Sequence, residues 1–195
     1  INKKSLNNSE IEYKIFSKGH RNPQGLTKLN NKIFSVEHGP KGGDELNLIE
    51  NNKNYGWPIV SYGTRYMYDD KGKSYKINHE AENFTEPLIA LVPSVGISSI
   101  NNCPKILKKY YNKNCLMALS LYGNNLMPGR SIIIFLLNDN LDKVISYEKI
   151  YLGKDMKLRH FVTNKENEIY EDDQGSIYVS ADLKGIYKIS FSEFR

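Results

Sequence analysis

The chemistry-bearing residues of this chain crowd into one stretch. His20-Arg21-Asn22-Pro23-Gln24-Gly25 sets a permanent cation and an amide beside a rigid turn. Pro23 fixes its own φ and pushes Asn22 toward extended backbone, so both side chains are held instead of sampled. Such a pair suits a carboxylate or a polarised carbonyl. The competing reading is a structural turn whose Arg21 pairs with a nearby acid. Further on, His38-Gly39-Pro40-Lys41-Gly42-Gly43-Asp44-Glu45 combines loop carbonyls with carboxylates. These are the oxygen donors that Ca²⁺ collects, although the spacing is not that of an EF-hand and a plain glycine-rich loop would look the same. His38 reads as a base, a ligand or a hydrogen-bonded structural residue.

Asn54-Tyr55-Gly56-Trp57-Pro58 holds the single tryptophan, which reads as a packing anchor, while Tyr62 and Tyr66 could stack on a planar ligand. In Lys157-Leu158-Arg159-His160, strand alternation turns Lys157 and Arg159 to one face. Two cations there fit either an anion between them or a solvated edge. No Gly-x-Ser-x-Gly elbow, P-loop or His-Glu-x-x-His motif occurs.

The elements that must position these residues are strands. Short β-rich runs, each bounded by Gly, Pro, Asn or Asp, cover Lys32 to Val36, Glu45 to Ile49, Val95 to Ile100, Leu116 to Leu119, Ser131 to Leu137, Lys143 to Tyr151, Leu158 to Thr163, Ser176 to Val179 and Gly185 to Phe191. Only Pro104 to Tyr111 suggests a turn or two of helix. The chain is therefore expected to be all-β. Asp172 to Ser180 followed by Gly185 to Ile189 reads as a repeat unit, a D-x-x-G turn feeding a hairpin, with Leu29 to Val36 and Glu45 to Ile49 as an earlier counterpart. Propeller blades of roughly 40–50 residues would place three to four in residues 1–195, as one partial propeller domain without a second domain.

The net charge of +5 comes from scattered lysines, which argues against a nucleic-acid partner. No run approaches the roughly 20 apolar residues of a membrane-spanning helix, so a soluble protein is expected. The chain opens on Ile1 with neither an initiator Met nor a signal sequence, which suggests that a preceding segment was removed. Cys103 and Cys115 could equally form a disulfide in an oxidising compartment or remain a free buried pair.

With these residues in place, the chain resembles the soluble quinoprotein glucose/sorbosone (aldose sugar) dehydrogenases. The resemblance is carried by Gly19 to Leu26, Glu37 to Ile49 and Asn54 to Pro58, and it thins after about residue 67. It implies the C-terminal half of a six-bladed β-propeller that binds pyrroloquinoline quinone and Ca²⁺ at the mouth of its channel. The implied reaction is oxidation of an aldose at C1 to the lactone by hydride transfer to the quinone, in the periplasm. By position, Arg21 and Asn22 would contact the quinone oxygens, with Arg21 polarising them. The carbonyls of Gly39 and Pro40 would hold the cofactor's calcium, Glu45 and Tyr55 a further calcium, and Tyr66 would touch the cofactor. Ala118, Leu119 and Ser120, with Lys157 and Arg159, would complete the cofactor site. The implied partners are the sugar, an electron acceptor that the residues do not identify and the N-terminal half of the ring; a homodimer stays open.

Four departures qualify this. Ser120 stands where the family writes Lys, and Lys157-Leu158-Arg159 where it writes Arg-Ile-Arg. An apparent insertion, Leu121 to Gly129, ends in Arg130, which is a candidate replacement for the missing cation. None of His20, His38, His79 or His160 matches the motif of the family's general base, which belongs to an upstream blade. The competing functions are a catalytically silent propeller that binds carbohydrate or a partner, and a calcium-dependent lactonase.

Overall fold

The computed structural model describes residues 13–66, 74–121, 130–153 and 156–191. The chain folds into three antiparallel sheets. The first runs in order β1 (Pro23–Leu29), β2 (Lys32–Glu37), β3 (Asp44–Ile49) and β4 (Ile89–Leu91). The second is β5 (Ile97–Asn102), β6 (Asn114–Ser120), β7 (Ser131–Leu137) and β8 (Val144–Tyr151), and the third is β9 (Leu158–Phe161), β10 (Ile177–Ala181) and β11 (Gly185–Ile189). A short helix, α1 (Lys105–Tyr111), joins β5 to β6, and a one-turn 3-10 helix spans Glu80–Glu82.

Each sheet is a meander, and the leading strands β1, β5 and β9 lie side by side. That stacking of radial blades is the propeller plan, with the leading strands innermost. Close approach of β1 to β5 depends on Gly25, where a Cβ would sit 2.8 Å from the backbone nitrogen of Ile100. The middle blade shows why its strands read as unbroken apolar runs. Leu116, Ala118, Ile133 and Phe135 pack toward the first blade, whereas Met117, Leu119, Ile132 and Ile134 pack toward the third. A sheet covered on both faces has no polar side to write into its sequence.

The sequence misses β1 and β4. Pro23-Gln24-Gly25 reads as a turn, and β4 is only three residues long. Both are sheet ends, where one side of the strand needs no ladder partner, so Pro and Gly are tolerated. The D-x-x-G turn is formed by Asp172, whose Oδ1 accepts the backbone N–H of Gln174 and Ser176 while its carbonyl accepts that of Gly175. In the predicted insertion, residues 122–129 lie outside the described residues.

Cys103 and Cys115 are bonded, joining the exit of β5 to the start of β6 across α1 with Cα atoms 5.6 Å apart. Closing this short loop in the unfolded chain removes about 3 kcal/mol of its entropy. A Cys103→Ala/Cys115→Ala double variant is expected to lose that stability in urea denaturation. A midpoint unchanged from the parent would show that the bridge contributes nothing.

Candidate functional site

One end of the stack collects the singled-out residues, and Asp44 is what ties it together. Its Oδ1 accepts the N–H of Gly39 at 3.2 Å and the Ser94 hydroxyl, and its Oδ2 accepts the N–H groups of Val95 and Ile97, each at 3.0 Å. The start of β3 is thereby fixed to the start of β5. Ile97 pairs with Ser120 at the end of β6, and the Ser98 hydroxyl donates to the Leu158 carbonyl at the start of β9. The Arg21 turn, the 38–45 loop, the β6–β7 junction and the Lys157 segment therefore share one mouth.

At the first blade the organising group is Glu37, which is only 3% exposed. Its Oε2 accepts the backbone N–H of Arg21 at 2.6 Å and of Asn22 at 3.3 Å. Its Oε1 lies 3.0 Å from His20 Nδ1 and accepts Asn47 Nδ2 at 2.9 Å. The His20 ring is bonded to Ser17 through Nε2 and stacks on Tyr55, with centroids 4.6 Å apart. One carboxylate thus sets the backbone of residues 20–22. Sequence reading passes over Glu37 because an acid at a strand end looks like any surface acid; its position directly before His38-Gly39-Pro40 is the one available clue.

Arg21 is half-buried. Its NH1 donates to the His38 carbonyl at 3.1 Å and its guanidinium lies 5.3 Å over the Trp57 ring. Its Nε, like His38 Nε2 and Asn47 Oδ1, is buried without a hydrogen-bond partner among the described residues. Arg21 lines a small cleft together with Glu37, His38, Gly39, Glu45 and Tyr55. Asn22, the next residue, is exposed, and its Oδ1 accepts Gln24 Nε2. Buried polar groups lacking partners cost about 1–3 kcal/mol each, which marks this cleft as a place that would gain from a polar ligand.

The expected calcium donors are arranged as follows. Gly39 cannot carry a side chain, since a Cβ would lie 2.0 Å from the Gly42 carbonyl oxygen, so the loop is compact. The Pro40 carbonyl accepts the Tyr66 hydroxyl at 2.6 Å, and that half-exposed tyrosine is thereby pinned to the loop. Tyr62 is likewise engaged, stacked on His79 and donating to Glu86. Glu45 and Tyr55 both line the cleft, but the Tyr55 hydroxyl donates to the Leu48 carbonyl, and Glu45 Oε2 accepts Asn47 Nδ2 at 3.2 Å. Among the described residues no three His, Cys, Asp or Glu side chains converge as a metal site. An ion held by the Gly39-Pro40 loop itself would rely on its carbonyls.

Burial pushes the Glu45 carboxyl up to about 8, with the Glu37 charge adding to the rise. In the unfolded chain the group titrates near 4.5. The folded state therefore holds the proton more tightly, and stability falls as pH climbs from about 4.5 to about 8, then levels. The limiting slope is about 1.4 kcal/mol per pH unit. Melting in chelator across this range should show the decline in the parent and a flatter profile in Glu45→Gln; parallel profiles would contradict it.

At the second and third blades the placements differ in kind. Ala118, Leu119 and Ser120 are fully buried, so the structure sets these side chains inside the blade. Ser120 Oγ accepts the Ser131 N–H at 2.9 Å and lies 3.0 Å from its hydroxyl, locking β6 to β7. Arg159 grips Asp182 with both prongs, Nε to Oδ1 at 2.8 Å and NH2 to Oδ2 at 2.5 Å. That hydrogen bonding, and then the charges of Arg159 and Lys157, hold the Asp182 carboxyl below its ordinary value. Lys157 is exposed and lies on the same side, lining a cavity with Arg130 and Lys184.

Radial β-blades of this kind are the fold expected of a sugar dehydrogenase propeller, and known proteins share it. The profile of the Glucose / Sorbosone dehydrogenase family matches residues 2–182, and the chain belongs to that family. Quinoprotein glucose dehydrogenase B of Acinetobacter calcoaceticus is 46% identical over 70 residues, which are 35% of this chain and 14% of that protein. The soluble aldose sugar dehydrogenase of Escherichia coli, solved in its apo form, superposes with a TM-score of 0.63 at 25% identity over 95% of this chain and 48% of its own. The PQQ-bound aldose sugar dehydrogenase of Streptomyces coelicolor shares the fold, with a TM-score of 0.59 at 19% identity, over 90% of this chain and 45% of that one. The chain thus spans about half the length of these solved relatives. No described helix is long and apolar enough to cross a membrane.

Proposed function

We propose that this chain forms the cofactor-holding half of a quinone-dependent aldose dehydrogenase, oxidising the sugar at C1 to the lactone. The observation that carries the reading is Arg21, half-buried at the mouth with a buried Nε that has no hydrogen-bond partner among the described residues, on a backbone fixed by Glu37. When bound, pyrroloquinoline quinone would supply the two-electron oxidation. The chain's own contribution is electrostatic: a guanidinium held beside the cleft is placed to stabilise negative charge that develops on a bound ligand oxygen, without reorganising to do so. Asn22, next along the chain, would orient the same ligand, and Lys157 would meet its acidic groups. The carbonyls of Gly39 and Pro40 would hold Ca²⁺, with Tyr66 steadying the loop through Pro40. Glu45 and Tyr55, on the inner wall of the cleft, would serve a second ion. The base that takes the sugar hydroxyl proton would come from the remainder of the ring, since His20 is engaged by Ser17 and Glu37.

The Cys103–Cys115 bridge supports an oxidising compartment such as the periplasm. The test is reconstitution of the full-length protein with Ca²⁺ and the quinone, following reduction of an artificial dye by several aldoses. Dye reduction that requires both additions supports the proposal; its absence at every sugar refutes it. A second reading, a silent propeller that binds carbohydrate, is favoured by the buried Ser120 and by the commitment of Arg159 to Asp182. Sugar binding that is indifferent to the quinone would select it.

A further inference from the structure

The Arg21 guanidinium is one end of a row of four side chains. It lies 5.3 Å over the Trp57 ring, Trp57 leans on the Tyr75 ring with centroids 5.2 Å apart and planes inclined at 45°, and the Arg65 guanidinium sits 4.2 Å over Tyr75. Trp57, Tyr75 and Arg65 are all half-buried. Arg65 makes no ion pair among the described residues, and its Nε is buried there without a hydrogen-bond partner. What holds this cation is the ring face, whose quadrupole attracts it.

The outer members stand on backbone that is fixed independently of Arg21. The Trp57 N–H donates to the Gly19 carbonyl at 3.0 Å. Beside Tyr75, the Lys76 N–H donates to the Ile59 carbonyl at 3.2 Å and the Lys76 carbonyl accepts the Ser61 N–H at 2.9 Å. Beside Arg65, Thr64 and Lys41 exchange backbone bonds of 2.9 and 3.1 Å, which fastens Arg65 to the loop that carries Gly39 and Pro40. The rings therefore cannot follow a wandering arginine, and the arginine settles where they stand. Without Trp57, the Arg21 side chain would keep only its bond to the His38 carbonyl among the described residues, and a long side chain on one bond retains much of its rotamer freedom.

We propose that Trp57, Tyr75 and Arg65 are positioning residues, which set the Arg21 guanidinium at the cleft and tie it to the Gly39-Pro40 loop. The assignment rests on the function proposed above, in which Arg21 meets developing negative charge. Trp57 acts on Arg21 directly, Tyr75 backs Trp57, and Arg65 caps Tyr75 from the far side. A cation held in this way has already lost the freedom that binding would otherwise take from it.

The experiment follows quinone-dependent dye reduction by the full-length protein with Ca²⁺, together with quinone affinity by calorimetry. It compares the parent, Tyr75→Leu, Tyr75→Phe and Arg65→Met, each also in an Arg21→Ala background. Tyr75→Leu should lower the rate and weaken binding about tenfold each, and Arg65→Met about threefold. Tyr75→Phe restores the ring and should recover most of both losses. In the Arg21→Ala background neither Tyr75→Leu nor Arg65→Met should have a further effect, because the row acts through that arginine. Equal losses in the two backgrounds would mean that the rings only support the fold, and would overturn the proposal. A Tyr75→Leu protein with the parent's rate and affinity overturns it too, while leaving the function standing. Should Tyr75→Leu fail to fold, Arg65→Met in the two backgrounds decides by the same criteria. A parent that binds no quinone overturns the function and the positioning role together.

Discussion

Replacing Arg21 by alanine is expected to lower quinone-dependent dye reduction by the full-length protein by about 10²- to 10³-fold, the usual effect of removing one preorganised donor from a site of developing charge. The magnitude follows from how the side chain is held. Its guanidinium is fixed between the His38 carbonyl and the Trp57 ring, with Nε buried and without a hydrogen-bond partner among the described residues. A group kept in this way spends no free energy on reorientation when a ligand oxygen becomes negative. Arg21→Lys would keep the charge but lose the planar fork that reaches His38 and Trp57 together, so it should recover only part of the rate. Stability should change little in either variant, because among the described residues the Arg21 side chain makes one hydrogen bond and no ion pair. A dye-reduction rate for Arg21→Ala within a factor of two of the parent would remove Arg21 from the proposed machinery.

The second large effect is expected at Glu37, and there it falls on stability first. Four groups converge on its carboxylate: the N–H of Arg21, the N–H of Asn22, the ring of His20 and the amide of Asn47. Glutamine in its place keeps one oxygen for the backbone but presents an NH2 group to Asn47 Nδ2, donor against donor. The resulting loss is about 2–4 kcal/mol in urea denaturation, since bonds to a charged acceptor are worth more than neutral ones and the site is closed to water. Quinone affinity should fall as well, because residues 20–22 would no longer be set in one position. Glu37→Gln within about 0.5 kcal/mol of the parent would mean that the four bonds are individually dispensable.

How much of this was legible in the residues depends on whether a group's role is local. The turn at Asp172, the strands other than β1 and β4, the helix after Pro104 and the gathering of Arg21, Gly39, Glu45 and Tyr55 at one place could all be read, because each follows from short-range backbone preferences or from nearby residues. Strand β1 could not, since Pro23 and Gly25 read as a turn until the neighbouring strand β5 is seen to require the glycine's missing Cβ. Asp44 shows the same limit at the site. Beside Glu45 and after a glycine loop it looks like an ion ligand, yet its oxygens are spent on Gly39, Ser94, Val95 and Ile97, residues up to 53 positions away.

By itself, then, the sequence determined the β class and the family and marked out the residues proposed here to meet an anionic cofactor, because these depend on side-chain type and on spacing along the chain. Only the tertiary structure decided which of those groups remain free. It spent Arg159 on Asp182, buried Ser120 against Ser131, left Arg21 Nε unpartnered and brought Arg130 beside Lys157. Hydrogen bonds and ion pairs are satisfied by whatever lies within about 3 Å, and in a ring of blades that neighbour comes from another part of the chain.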